Sequence, residues 1–174
     1  MKWIELTVIL KDYSRFNEML KILVKPYIEE LYDNNIIFNW HYFREPSLCW
    51  RIYANDLAID AIKLELNIKM NQLEIDYPDL FEKHYFGAFL KKGVEYIGEA
   101  NFYGKDAWEL CYKRWEAGSN LALMLCTTVS EKDSKFHYKR DFHLFENQLG
   151  FDYGEAIQIH SEWVKTLNEC KPRT

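Results

Sequence analysis

His143 and Asn147 stand four positions apart in a stretch that reads as helix, so their side chains share one face. Imidazole titrates near neutrality and a neighbouring carboxamide can orient a carbonyl, so this pair could move a proton or hold a substrate carbonyl. The alternative is a histidine packed at a sheet and bonded to a backbone carbonyl. His137, Lys135, Lys139 and Arg140 form a basic cluster alongside. Arg51 alternates with Cys49 and Tyr53 on one strand face, where a guanidinium could clamp a carboxylate through two parallel bonds. A cross-strand ion pair with Glu45 or another nearby acid would use the same residue. Glu99, followed by Asn101 and Tyr103, falls just past an expected strand, and strand ends are where chains often place functional groups; its alternative is a carboxylate at a helix start. Trp108, Trp115 and Trp163 read as core.

Positioning these groups falls to a chain of 174 residues, long enough to bury roughly two-thirds of its unfolded surface in one core. A single domain spanning residues 1–174 is expected. Seven glycines, and no G-x-x-x-x-G-K-[ST] or G-x-G-x-x-G string, argue against a phosphate-cradling loop. A net charge of −5 disfavours free nucleic-acid binding over a broad basic surface. The four cysteines are scattered without a C-x-x-C pair, and the start Met1-Lys2-Trp3-Ile4-Glu5 lacks a signal-peptide core. Reduced thiols and a cytoplasmic location are expected, with no metal and no cofactor. The longest apolar run, 121–126, is too short to span a bilayer. No G-x-S-x-G or H-E-x-x-H string supports a hydrolase.

Elements follow from periodicity. Trp3 to Leu10 reads as a strand whose Val8-Ile9-Leu10 end is buried on both faces. Asp12 or Ser14 caps a helix striped by Phe16, Met19, Leu20, Leu23, Tyr27, Ile28 and Leu31, which Pro26 should kink or split. The segment 36–54 alternates on both sides of Glu45-Pro46-Ser47 and predicts an antiparallel hairpin. One face holds Ile36, Phe38, Trp40, Tyr42, Leu48, Trp50, Ile52 and Ala54. The other mixes Asn39, His41, Phe43, Cys49, Arg51 and Tyr53, the kind of face on which a binding surface could lie. Asn55 caps a second helix with Leu57, Ala61, Leu64 and Ile68. Pro78 opens a third helix carrying Leu80, Phe81, His84, Tyr85 and Phe89, and Val94 to Glu99 forms a short strand. Asp106 starts a helix with Trp108, Cys111, Tyr112 and Trp115, broken or bent at Gly118-Ser119 and resumed from Leu121. After a polar loop at 131–135, helices at 139–149 and 154–169 close the chain, the last with Ala156, Ile157, His160, Trp163, Val164 and Leu167 inward. The expected class is α+β: a small, mainly antiparallel sheet including a long hairpin, packed against several helices.

In order, three segments resemble a known family. Trp40…Phe43-Arg44-Glu45-Pro46…Trp50-Arg51-Ile52 is similar to W-F-F-I-R-Y, a D-P turn and H-L-R-L-R in the C-terminal domain of lantibiotic dehydratases. That domain also occurs alone, as thiopeptide-type bacteriocin biosynthesis proteins. Tyr96-Ile97-Gly98-Glu99-Ala100-Asn101-Phe102-Tyr103-Gly104 resembles Y-x-P-E-x-x-R-Y-G-G, and His143-Leu144-Phe145-Glu146-Asn147-Gln148-Leu149-Gly150 resembles H-x-x-x-N-R-L-G. Cys49 and Tyr53 replace the histidine and second arginine of H-L-R-L-R, and Phe102 and Gln148 replace two further arginines.

The resemblance implies a stand-alone component of ribosomal peptide natural-product biosynthesis. Its relatives eliminate glutamate from glutamylated serine or threonine, or form a pyridine ring, on a modified precursor peptide. Elimination needs cations on the glutamyl carboxylates and a base for the α-proton. His143, Arg51 and Glu99 are the expected catalytic set of such a lyase, with Arg44, Tyr53, Tyr103, Asn147 and Gln148 touching substrate. The alternative is a catalytically degenerate member that binds a peptide or partner enzyme as an accessory subunit. The expected partners are a precursor peptide or partner biosynthetic enzyme, a homodimer being possible, and neither a membrane nor free nucleic acid.

Overall fold

The structure is a computed structural model describing residues 1–44 and 47–129, with positions 133, 136, 137, 141, 154, 155, 157, 158, 161, 162 and 165. The chain divides into two compact units, Met1–Thr128 and Val129–Thr174. In the second, the described positions from 133 to 165 are helical, and Ile157, expected to face inward, is exposed. The expected loop at 131–135 and the helices at 139–149 and 154–169 lie mostly outside the described residues.

The first unit is α+β. Strands β1 (Lys2–Leu10), β2 (Ile37–Phe43), β3 (Leu48–Ala54) and β4 (Phe81–Phe86) form one antiparallel sheet in the order β2-β3-β1-β4. The hairpin β2–β3 is therefore as expected, running from Ile37↔Ala54 to Phe43↔Cys49. Its alternation is interrupted: the register shifts between Ile37 and Asn39, and Phe38, expected inward, is exposed. The extra residue of this bulge rotates Phe38 out while Ile37 and Trp40 keep the core side.

Under that face lie Phe16–Met19 (α1), a π-helical turn Leu20–Val24, and Lys25–Asp33 (α2). Asp12 accepts the Ser14 N–H at 2.9 Å and starts the approach. Pro26 neither breaks nor ends the helical path. The wider turn just before it, in which the Lys25 N–H bonds back to the Leu20 carbonyl, is where the irregularity is taken up. Trp40, Trp50, Ile4, Leu6, Val8, Phe16, Leu20, Tyr27 and Leu31 fill this core.

Helix α3 (Asp56–Asp76) starts at Asn55, whose side chain accepts the Leu57 N–H at 3.1 Å. Its expected stripe is reversed: Leu57, Ala61, Leu64 and Ile68 are exposed, and Ile59, Ile62, Leu66, Met70 and Leu73 are buried. Both stripes have helical spacing, so periodicity identified the helix without choosing its inner side.

The expected third helix is β4, a correction with a physical cause. Strand β1 would otherwise leave an apolar edge unpaired, and Phe81-Glu82-Lys83-His84-Tyr85-Phe86 supplies its ladder. Val94 to Gly98 is irregular rather than a strand. A short helix α4 (Ala100–Tyr103) leads into α5 (Lys105–Thr128), which runs unbroken through Gly118-Ser119. Ser119 is buried there, and its hydroxyl accepts the Tyr42 N–H at 3.2 Å, satisfying a donor on the edge strand β2.

Leu66→Ala should destabilise the fold by about 2–5 kcal/mol, whereas Leu64→Ala should stay within about 0.5 kcal/mol of the native chain. Urea unfolding of the two variants checks which face of α3 is inside.

Candidate functional site

The mixed face of the hairpin is covered rather than open. Asn39, His41, Glu5, Thr7, Cys49 and Arg51 are all buried there, and the aromatic cluster on this side draws in Trp108, Tyr112 and Trp115 of α5. Register sets their neighbours. Arg51 lies opposite Glu5 on β1 and opposite His41 on β2, giving one row His41–Arg51–Glu5 across the sheet. The next row is Asn39–Tyr53–Trp3.

Arg51 is held at both ends. Its Nε donates to Glu5 Oε2 at 2.7 Å and its Nη1 to Glu99 Oε1 at 2.7 Å. The guanidinium carbon lies 4.0 Å from the Tyr96 ring centroid, 4.6 Å from Phe43 and 5.3 Å from Phe89. Glu5 uses its other oxygen to accept the Phe89 N–H at 2.9 Å. Tyr96 donates its hydroxyl to Glu99 at 3.2 Å, and burial pushes that phenol well above its ordinary range. Two carboxyl groups thus share one guanidinium. The cross-strand ion pair considered for Arg51 is the observed one, with Glu5 as the partner.

Glu99 stands at the start of α4 without capping it through its side chain. Its backbone carbonyl accepts the N–H groups of Phe102 and Tyr103 while its carboxylate reaches Arg51. The segment between β4 and α4 closes this side. Phe89 and Leu90 both adopt left-handed backbone at φ 51° and 63°, a conformation that costs side-chain-bearing residues roughly 1–2 kcal/mol each. Gly98 has φ 85°, and a Cβ there would sit 3.1 Å from Trp108 Nε1 and 3.2 Å from Trp3 Nε1, so two indoles close on its bare backbone.

The other expected site residues join different surroundings. Tyr53 stacks on Trp3 at 4.7 Å, within the aromatic cluster. Tyr103 stacks against Trp108 at 6.1 Å and is partly exposed. Arg44 does not converge with Arg51: its guanidinium lies over Phe16 at 4.8 Å and Tyr13 at 5.5 Å, on the side of the helices beneath the other sheet face. His143, Asn147 and Gln148 lie outside the described residues.

Sequence reasoning passed over Glu5 and gave Tyr96 and His41 no role of their own. The signal for Glu5 was its phase: with Trp3 and Thr7 it occupies the β1 face opposite Ile4, Leu6 and Val8, and it pairs directly with the only arginine of β3. His41 is fully buried among Trp3, Phe43 and Trp115 at centroid distances of 5.3, 5.5 and 5.1 Å. Its Nδ1 lies 3.5 Å from Asn39 Oδ1, and its Nε2 has no hydrogen-bond partner among the described residues. Burial, and then the Arg51 charge, push its pKa down to about 3, so it is neutral at physiological pH. Asn39 donates to Glu116 at 2.6 Å, and Tyr32 donates to the other oxygen of that carboxyl, which burial raises above its ordinary pKa.

Among the described residues no cluster of His, Cys, Asp and Glu could hold a metal ion, and no helix is long and apolar enough to cross a membrane. Neither a scan against protein-family models nor a search of the curated proteins finds a match to this chain.

Arg51→Met should cost about 3–5 kcal/mol, because it leaves the Glu5 carboxylate buried without its cation. Adding Glu5→Gln to it should recover part of that loss, read from urea midpoints at pH 7. His41 sets a second expectation. Above pH 6.5, its ordinary value, folded and unfolded chains both keep it neutral and its contribution is whole. Below that, the unfolded chain takes up a proton the fold refuses, so stability falls towards pH 3 by up to about 1.4 kcal/mol per pH unit. The raised Glu116 acts in the opposite direction, so the test is a difference: His41→Leu should flatten the pH dependence relative to the native chain.

Proposed function

We propose that this chain is an accessory component of ribosomal peptide natural-product biosynthesis in the cytoplasm, resembling the lantibiotic dehydratase C-terminal domain. In this reading it binds a precursor peptide or a partner enzyme without eliminating glutamate. The observation that carries the choice is the engagement of Arg51. A clamp for a glutamyl carboxylate needs a cation with attraction to spare, and this buried guanidinium already serves both Glu5 and Glu99. A substrate carboxylate could reach Nη1 only by displacing Glu99, which exchanges one carboxylate for another and leaves the displaced charge beside Tyr96.

The substitutions along the resembling motifs point the same way. Cys49 and Tyr53 flank Arg51 where the family pattern has a histidine and an arginine, and here the thiol is buried and the phenol stacks on Trp3. Neither supplies the positive charge that an elimination site requires at a developing carbanion. Binding needs no such charge, since aromatic surface and fixed polar groups suffice for peptide or protein recognition.

Incubating the purified chain with a peptide bearing glutamylated serine or threonine should leave its mass unchanged, with and without Arg51→Ala. Loss of the glutamyl group by the native chain, abolished by Arg51→Ala or His143→Ala, would restore the lyase reading and end the accessory one.

A further inference from the structure

Helix α3 is apolar on two opposite sides, and among the described residues the first unit uses only one in its core. Leu57, Ala61, Leu64, Ile68 and Ile75 recur at intervals of four, three, four and seven, with Asn71 at the remaining place. All are exposed, the four large residues by 59–92%. They share one line on a helix surface, directly opposite Ile59, Ile62, Leu66, Met70 and Leu73. The line is about 28 Å long at the rise of an α-helix. Its spacing is the alternating four-three pattern of a coiled-coil seam, with Asn71 as the single polar position that in such seams sets register. Scattered exposed leucines need no explanation, but a continuous seam over five turns does.

The residues beside the seam decide what fits it. Asp60, Asn67 and Glu74 border one side, and Ala58, Glu65 and Gln72 the other; Glu65 is already bonded to Tyr27 and Lys69, so Asp60 and Glu74 are the acids that face a partner. Of the two lysines of this helix, Lys63 lies one row outside the first margin, and Lys69 is drawn towards the body of the unit, where it bonds to Glu30 and Glu65 at 3.4 Å and lies 5.0 Å from the Tyr27 ring centroid. A second copy of α3 is a poor occupant. Packed parallel, it would set Asp60 against Glu65; packed antiparallel, it would set Asp60 against Glu74 and Glu65 against itself.

We propose that the outer face of α3 is a docking site for an amphipathic helix of a partner protein, with a narrow aliphatic seam bordered by lysine or arginine. Burial of the exposed leucines and isoleucines supplies the affinity, and the acid margins select a basic partner over an acidic one. The site rests on α3 alone and stands whether or not the chain belongs with the peptide-biosynthesis family.

The probe is a synthetic helix of about three heptads, Ile at a, Leu at d and Lys at e and g, with a Glu-bordered twin as its control. Fluorescence anisotropy with the full chain should show binding of the basic helix at least about tenfold tighter than of the acidic twin, weakening as salt is raised. Leu64→Ser/Ile68→Ser, with native circular dichroism, should lose that binding by about tenfold or more. Asp60→Lys/Glu74→Lys should narrow or invert the preference. The proposal is overturned if the basic helix does not bind, or if it binds the serine variant as well as the native chain. It is overturned equally by sedimentation showing that the native chain self-associates through this face while the serine variant is monomeric, or by the native chain binding anionic vesicles through it.

Discussion

The structure of the first unit depends on a guanidinium that has been taken out of water. Arg51 sits at the middle of β3 with Glu5 beside it on β1 and Glu99 closing from the segment after β4. A buried charge without partners would cost several kcal/mol, so each contact is a condition for the others. Glu5 can be buried because Arg51 and the Phe89 N–H take its two oxygens. The left-handed pair Phe89-Leu90 can persist because that same carboxylate holds it. Tyr96 and Phe43 complete the surroundings with ring faces towards the cation.

This arrangement divides the sheet into two unlike sides. One is an ordinary aliphatic and aromatic core in which Trp40, Trp50 and Leu6 pack on the helices from Phe16 to Asp33. The other is a polar row within an aromatic frame, roofed by α5. Hydrogen bonds on that second side are mostly to charged groups, which fixes geometry more strictly than apolar packing does. The neutral imidazole of His41 shows the consequence. With Arg51 across the ladder and three aromatic rings around it, a second positive charge there is excluded.

The same residues bear on what the unit can offer a ligand. Arg51 is buried and already bonded to two carboxyl groups, those of Glu5 and Glu99. A role in recognition fits a unit whose interior charges are consumed by its own folding and whose outer helix carries apolar surface in excess of what the core uses.

Sequence by itself determined the class of fold, the hairpin, the first strand and the cap at Asn55. Those follow from local rules: alternation and capping chemistry. It did not determine which side of α3 turns inward, because two stripes met the same periodicity and only the sheet beneath could choose. Nor could it tell that 81–86 is a strand, since that depends on the vacant edge of β1. The partner of Arg51 was hidden for the same reason. Glu5 is 46 residues away in the chain, and only the antiparallel register of β1 on β3 brings its carboxylate to the guanidinium, turning an apparent substrate clamp into an internal ion pair.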